Sequence, residues 1–272
     1  MALESSGTMS IGGSTSGRSI NLELGRSATA TSSLNETDLR DLAEVSSGAI
    51  SISNFYGKSA TTVYAIDLDG NDSIEYPGPG DNISGDFTME CFFYMDSGAS
   101  GFQRIFSTKE GTYGDEQTMI RRKSNGNIQF YAGNANPAEH TGGSITADTW
   151  HHAAIVRSSG TISYYYDGSR LSTDSYSTSF DMTKLVVGGG YGSEYFGGDV
   201  HGARFTLGQA LYSGASYTVP TSIITTTSQG ATASNVKVLA GTTDTVNENA
   251  GTLGNGTSSG DPALITDATV FD

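Results

Sequence analysis

Four segments of the chain alternate apolar and polar side chains with a period of two, the spacing that predicts β-strands. They are Phe87–Tyr94, Trp150–Arg157, Ile162–Gly168 and Phe196–Phe205. In the first segment one face carries Phe87, Met89, Cys91 and Phe93, and the opposite face carries Thr88, Glu90, Phe92 and Tyr94. Because large side chains occupy both faces, the pattern predicts two packed sheets.

The links between these segments have the composition of tight turns. Residues 157–161 are polar and join two of the segments, which predicts an antiparallel pair of strands. Asp167 and Gly168 end the third segment, and this dipeptide suits the positive φ angles of a short hairpin turn. The chain contains 36 Gly and only 5 Pro, which also favours many short strands joined by turns.

The second segment places Trp150, His152, Ala154 and Val156 on one face. We assign Trp150 to the core and not to ligand stacking. The neighbouring His151 points to the opposite face from His152, so the two imidazoles cannot bind one metal ion and both are predicted to be structural.

Residues 1–59 follow a different pattern. Gly7–Ile11 and Ile20–Leu24 alternate like short strands, residues 35–45 form the pattern of an amphipathic helix, and Ala49–Gly57 returns to alternation. A unit this small buries little apolar surface by itself. We therefore expect residues 1–59 to dock onto a partner.

Charge and composition exclude several classes of partner. The net charge is −15, and the only basic cluster, Arg121–Lys123, is too small to neutralise the phosphates of a nucleic acid. No run of 18 apolar residues and no leader pattern are present, so membrane insertion and secretion by the general route are not expected. Cys91 is the only cysteine and is predicted to be a buried thiol. The four histidines show no metal-ligand spacing, so no metal site is assigned.

The order of these motifs resembles the laminin-G-like, concanavalin-A-like jelly roll, in particular the version found in bacteriophage structural proteins. The shared features are a phenylalanine-led strand with an inner Glu, a Trp-His strand ending in Arg, a Tyr-x-Asp-Gly hairpin and a late Phe-x-Gly strand. Tyr64–Gly70 is similar to the opening strand of that family, and Gly208–Tyr212 with Tyr217–Pro220 is similar to its exit segment. The resemblance covers about residues 60–240. It implies an all-β jelly-roll sandwich.

The N-terminal residues resemble a module that precedes variable β-domains in tailed-phage virion proteins. Residues 17–25, Leu39–Leu42 and 52–58 carry this resemblance. It implies two domains, a small α+β module at 1–59 that attaches to other virion proteins and a jelly roll at 60–272. The implied protein is a homo-oligomeric fibre, spike or capsid decoration subunit at the virion surface.

Catalysis is not expected. Glucanases of this superfamily carry a Glu-x-Asp-x-x-Glu signature, which this sequence lacks. Asp67 and Asp69 come closest, but they lead into a turn and have no flanking acids. Glu90 stands alone between apolar residues, and such a carboxylate is more often a hydrogen-bonded structural group than an acid catalyst. We therefore predict a protein that is not an enzyme and needs no cofactor.

Carbohydrate binding is the alternative function, in the manner of a lectin-like module used in host adsorption. Two predicted loops, residues 110–117 and 188–195, combine tyrosines with acidic residues. The tyrosines could stack on sugar rings while the carboxylates accept hydroxyl hydrogen bonds or hold calcium. Packing between subunits would also explain tyrosines there. The candidate binding residues are Tyr113, Asp115, Glu116, Tyr191, Glu194 and Tyr195.

The last fifty residues are rich in Thr, Ser and Gly. Residues 235–239 and 263–271 alternate like strands, and the glycine-rich stretch 251–260 between them reads as a loop. We expect this tail to belong to the sandwich.

Overall fold

The computed structural model describes residues 2–45, 47–58, 62–108, 118–132, 138–176, 178–189, 194–266 and 268–271. The chain divides into two compact units, Met1–Thr62 and Val63–Asp272. The second unit is built from fifteen described strands: β1 Tyr64–Asp69, β2 Ser73–Ile83, β3 Phe87–Met95, β4 Gln103–Ser107, β5 Met119–Arg122, β6 Asn127–Ala132, β7 Ala138–Ser144, β8 Trp150–Ser158, β9 Thr161–Tyr166, β10 Ser169–Ser175, β11 Phe180–Val187, β12 Gly197–Leu207, β13 Val236–Ala240, β14 Thr257–Ser259 and β15 Ala263–Thr266.

The strands form two antiparallel sheets. The first sheet has the order β10-β9-β8-β3-β12-β1-β15, with β13 also paired to β12. The second sheet has the order β14-β2-β11-β4-β5-β6-β7. All four strands predicted from alternation lie in the first sheet, and they pair as neighbours in the order β9-β8-β3-β12. The predicted jelly-roll sandwich is confirmed.

The main core lies between the two sheets. Phe87, Met89, Cys91 and Phe93 of β3 are all buried in it, as their shared face predicted. Burial of the apolar side chains of about thirty residues here is the dominant force that holds the sheets together. Desolvation raises the pKa of the Cys91 thiol, so this cysteine is the inert buried group that the sequence indicated.

The face of the first sheet that turns away from the second sheet, called here the outer face, is also largely covered. Phe92 on this face packs in a cluster with Ile224, Val236 and Val270. A second cluster joins Tyr165 of β9 to Tyr212. The cover is therefore supplied by the segments between β12 and β13 and by a 3₁₀ turn at Ala268–Phe271. Large side chains on both faces of β3 reflect this double burial.

The predicted hairpin turn after β9 is confirmed. Asp167 and Gly168 have φ angles of 46° and 75°. A β-carbon on Gly168 would lie 2.6 Å from the carbonyl oxygen of Tyr217, so the glycine is required both by its backbone angle and by the close approach of the covering segment.

The C-terminal tail belongs to the sandwich, as expected. β13 matches the predicted strand at 235–239, and β15 matches the first part of the predicted strand at 263–271. The rest of that segment forms the 3₁₀ turn at Ala268–Phe271. The expected loop at 251–260 was partly wrong, because Thr257–Ser259 pairs with β2 as β14.

The first unit has its own small core of Leu3, Ile20, Leu39, Leu42, Ala43 and Phe55. The predicted helix is present as α2, Thr37–Leu42, but the predicted strands were wrong. Ile20–Glu23 is a short helix, α1, whose first turn is capped by Ser19. Ile52–Phe55 is a 3₁₀ turn capped by Ser51 and Asn54. The capping side chains satisfy free backbone N–H groups and so favour helical turns over strands.

Among the described residues no helix has both the length and the apolar character that a membrane span requires. The basic triplet lies at the end of β5, and Arg121 and Arg122 are buried there. These two guanidinium groups therefore do not form a cationic surface for nucleic acid.

Candidate functional site

Most of the residues predicted for the binding loops lie outside the described part of the chain. Tyr113, Asp115, Glu116 and Tyr191 are in this group. Their role stays a prediction. Glu194 and Tyr195 lie in the described part of the chain, and both are partly buried.

Glu194 is engaged by two arginines of the second sheet. Its carboxylate accepts a hydrogen bond from Arg104 Nε at 2.8 Å and lies 3.3 Å from Arg121 Nη1. The Arg121 guanidinium also sits over the rings of Phe102 and Tyr131, at 4.5 and 4.8 Å from their centroids. The Glu194 side chain is 17% exposed, so it serves first to neutralise buried guanidinium groups.

Tyr195 is half-buried and packs closely on the backbone. A β-carbon on Gly189 would lie 2.5 Å from the ring of Tyr195, so this glycine leaves room for the ring. The backbone N–H of Arg104, near the start of β4, donates to the backbone carbonyl oxygen of Glu194 at 3.0 Å, whereas the segment 109–117 follows the end of β4. The described flanks of the two predicted loops thus lie at opposite ends of one short strand.

Glu90 belongs to a fully buried polar network on the outer face. Arg204 Nε and Tyr212 Oη donate to its carboxylate at 2.8 and 2.5 Å, and His152 Nε2 lies 3.2 Å away. Burial alone would raise the pKa of Glu90, but Arg204, His152 and Tyr212 outweigh it and lower the pKa to about 2.

Arg204 extends this network to the covering segment. Its Nη1 donates to the carbonyl oxygens of Thr225 and Ser228 at 2.7 and 3.1 Å. The network therefore ties the cover to β3 and β12. Glu90 is buried and stays ionised at neutral pH, which matches the predicted structural role and does not suit a proton donor.

One row of residues on the outer face is only partly buried, unlike the covered part of that face. Four residues follow one another across adjacent strands: Asp67 of β1 is paired with Asp199 of β12, Asp199 with Tyr94 of β3, and Tyr94 with Trp150 of β8. All four are only partly buried. We call Asp67, Asp199, Tyr94 and Trp150 the outer-face row.

Trp150 does not lie in the main core between the two sheets, but it is partly buried and packs against the apolar cluster of the outer face. Its inward neighbours along β8 are His151 and Ala153, so strand alternation turns Trp150 to the outer face. There its ring lies 5.7 Å from that of Tyr94, at an interplanar angle of 57°. The two rings form an aromatic pair at the edge of the covered region.

The next row inward is closed. Phe92 and His201 of that row both contact the ring of Phe271, each at 5.4 Å between centroids. The 3₁₀ turn at Ala268–Phe271 therefore forms a wall along one side of the outer-face row. The opposite side of the row is the end of the sheet.

The carboxylates of the row belong to a larger acidic region. Burial and then the charges of Asp96, Asp69 and Asp72 raise the pKa of Asp67. Asp69 and Asp72 also lie with Asp261 close enough that one oxygen of each carboxylate could reach a common ion.

The buried Asp72 has another role in this trio. Its two carboxylate oxygens accept the backbone N–H groups of Asp261 and Asp69 at 2.7 and 3.1 Å. These hydrogen bonds connect the turn before β15, which contains Asp261, to the turn after β1, which contains Asp72. This structural role accounts for the convergence of the three carboxylates.

Sequence reasoning missed the outer-face row as a site. All four members stand in segments first recognised as strands or as an acidic turn, but their register across four strands cannot be read from one sequence. Trp150 gave no signal of its own, because it shares a strand face with His152 and Ala154, which are both buried.

The chain belongs to the concanavalin A-like lectin/glucanases superfamily, whose Laminin_G_3 family profile matches residues 68–208. The match includes Asp199, Tyr94 and Trp150 and begins one residue after Asp67. No curated protein sequence matches the chain significantly.

Solved structures show the same fold. A Bacteroides ovatus protein for which carbohydrate binding is proposed aligns over 78% of this chain and 62% of its own, with 17% identity and a TM-score of 0.54. This chain thus spans less than two thirds of that protein. Domains LG4-5 of the mouse laminin α1 chain align over 58% of this chain and 47% of theirs, with 14% identity and a TM-score of 0.43.

A third similar structure is the CBM40 of the Ruminococcus gnavus IT-sialidase, bound to α2,3 sialyllactose. It aligns over 50% of this chain and 89% of its own, with 12% identity and a TM-score of 0.39. A likeness this distant carries no argument about the ligand of the present protein.

Proposed function

We propose that this protein is a non-catalytic carbohydrate-binding module and that the outer-face row is its binding surface. The observation that carries the proposal is the pairing of Trp150 and Tyr94 with two aspartates on adjacent strands. Apolar ring faces can pack against the C–H face of a pyranose, while carboxylates accept hydrogen bonds from its hydroxyl groups.

The position of the row supports this function. The row lies on rigid sheet strands, so a sugar would meet side chains that are held in place before binding. The 3₁₀ turn at Ala268–Phe271 covers the next row and would limit the sugar to one strip of the sheet.

Fluorescence offers a direct test because Trp150 is the only tryptophan of the chain. The full chain is screened on a glycan array with and without chelator, and the best ligands are titrated against the emission of Trp150. A sugar that stacks on the ring is expected to shift that emission saturably. Binding without any change at Trp150 would place the site elsewhere.

Substitutions then separate the row from the loops. Tyr94→Ala is expected to weaken binding by about thirtyfold, since truncating a central aromatic contact commonly costs about 2 kcal/mol. Tyr195→Ala and the double variant Tyr113→Ala with Tyr191→Ala test the loops that the sequence suggested. Loss of binding in the loop variants with retention in Tyr94→Ala would move the site to the loops.

The virion role is the second candidate function. It derives from the sequence resemblance, and the similar structures do not bear on it. One observation favours it: residues 1–62 form a compact unit separate from the jelly roll, as an attachment module would. A particle reconstruction that locates this subunit would test it.

A further inference from the structure

The outer-face row has a definite direction and length. It runs across β1, β12, β3 and β8, perpendicular to the strands. Adjacent strands lie about 4.8 Å apart, so the row spans about 14 Å, roughly the length of three linked pyranose rings. The wall at Ala268–Phe271 stands beside the row along the covered side. A bound chain would therefore lie along the row, with one end over Trp150 and the other over Asp67.

The charge along this path is negative at one end. Asp67 and Asp199 stand opposite each other in the β1–β12 ladder, and Asp69, Asp72 and Asp96 act electrostatically on Asp67. The sequence places no lysine or arginine in the segments that build this end of the sandwich, which are residues 66–72, 94–102, 146–150, 194–200 and 260–263.

Apart from burial, the groups that shift the pKa of Asp67 are all carboxylates. Arg122 of the second sheet donates from Nη1 to the carbonyl oxygen of Gly101 at 2.5 Å, and this arginine is buried. An anionic group on a sugar over the Asp67 end would thus meet several like charges. Like-charge contact in a partly desolvated site disfavours binding strongly.

We infer that the outer-face row binds an uncharged glycan chain of about three sugars lying across the four strands, and that it rejects chains bearing carboxylate groups. This inference rests on the proposed function and names its ligand class. The aromatic pair supplies the attraction through ring packing, and the aspartates accept hydroxyl hydrogen bonds and exclude acidic sugars.

The test compares matched sugars that differ at one carbon. Galactotriose and trigalacturonic acid, and cellotriose and its uronic-acid counterpart, are titrated against the full chain by Trp150 fluorescence. Within whichever pair binds, the acidic member is expected to bind at least about tenfold more weakly. The difference should narrow in 0.5 M salt, roughly a fivefold to tenfold rise over a low-salt buffer, because mobile ions screen exposed charges.

A charge variant provides the second measurement. Asp67→Asn with Asp199→Asn is expected to reduce the discrimination against the acidic sugar several-fold. Asp86→Asn is the matched control, since Asp86 lies at the opposite end of β3 and an asparagine oxygen can still accept the backbone N–H of Ser159. The control should keep the full discrimination.

The outcomes separate this inference from the proposed function. Acidic trisaccharides that bind at Trp150 as tightly as the neutral ones would overturn the inference and leave carbohydrate binding in place. A monosaccharide that binds as tightly as the trisaccharide would also overturn it. If no neutral or acidic glycan changes the emission of Trp150, both the inference and the proposed site fail.

Discussion

Replacing Glu90 by glutamine tests the view that the buried network holds the cover on the sheet. Glutamine keeps the size of the side chain but removes the negative charge that faces Arg204, whose side chain is fully buried. Removing one partner of a buried ion pair leaves an uncompensated charge and commonly costs about 3–5 kcal/mol. The Glu90→Gln variant is therefore expected to lose about that much free energy of unfolding at pH 7.

The pH dependence of the free energy of unfolding tests the same role of Glu90 in a second, independent way. Folding lowers the pKa of Glu90 from 4.5 to about 2. The unfolded chain therefore binds a proton more readily than the folded one, and the stability that Glu90 contributes is present above pH 4.5 and is lost as the pH falls towards 2. At 1.36 kcal/mol per pKa unit, the amount is about 3 kcal/mol.

Urea unfolding followed by the fluorescence of Trp150 measures this effect in the jelly roll alone, because the first unit has no tryptophan. The matched control is Glu75→Gln. Glu75 pairs with Lys184 at 2.7 Å, but the two side chains are 30% and 45% exposed, so the loss should stay below about 1 kcal/mol. The gap between wild type and Glu90→Gln should shrink between pH 5 and pH 3 by about 2 kcal/mol, roughly half of the Glu90 contribution, because the folded carboxylate protonates only near pH 2. A loss below 1 kcal/mol at pH 7, or a gap that stays constant with pH, would refute the reasoning.

Three further expectations follow from burial and from the division into units. Phe93→Ala should destabilise the jelly roll by about 3–5 kcal/mol and Trp150→Ala by about half as much, measured by circular dichroism in urea, because only Phe93 lies in the sandwich core; equal losses would contradict this difference. Burial lowers the pKa of His201, so stability should decline as the pH falls below 6.5, and His201→Gln should show a smaller decline between pH 7.5 and 5.5. A fragment starting near residue 60 should stay folded, since the second unit has its own core, and should fail to join particles if residues 1–59 attach them. Incorporation of that fragment at normal occupancy would refute the attachment role.

The sandwich could be predicted because its strands carry two independent signals. The period of two in β3 and β8 fixes which side chains share a face, and the turn residues Asp167 and Gly168 fix where a strand must end. These signals agree with each other over segments of six to nine residues. When the strand periodicity and the turn residues agree in this way, the positions of the strands can be predicted from the sequence.

The first unit could not be predicted equally well, because its segments are too short to separate the two periods. Ile20, Leu22 and Leu24 alternate like a strand, yet five residues also fit a single helical turn. Ser19 decides between the two by accepting the N–H of Leu22 at 3.4 Å. A serine is common before both kinds of element, so the sequence alone left the choice open.

Trp150 shows why the candidate site was harder to predict than the fold. Alternation places it on the same face as His152 and Ala154, and both of those residues are buried. From one sequence, a tryptophan that shares a face with buried residues is expected to be buried as well. The face is covered, however, by segments from beyond β12 and by a turn near the C-terminus.

Among the described residues, the ring of Phe271 covers the row next to the one that contains Trp150. Phe271 lies over Phe92 and His201, while the row that contains Tyr94 and Trp150 stays partly exposed. The position of this cover depends on contacts between residues that lie 70 and 179 positions apart, His201 with Phe271 and Phe92 with Phe271, and such contacts leave no periodic pattern in the sequence. The surface that we propose for sugar binding is therefore a product of tertiary packing. The same packing makes its aromatic pair testable, because a side chain at the edge of a cover can be truncated without opening the core.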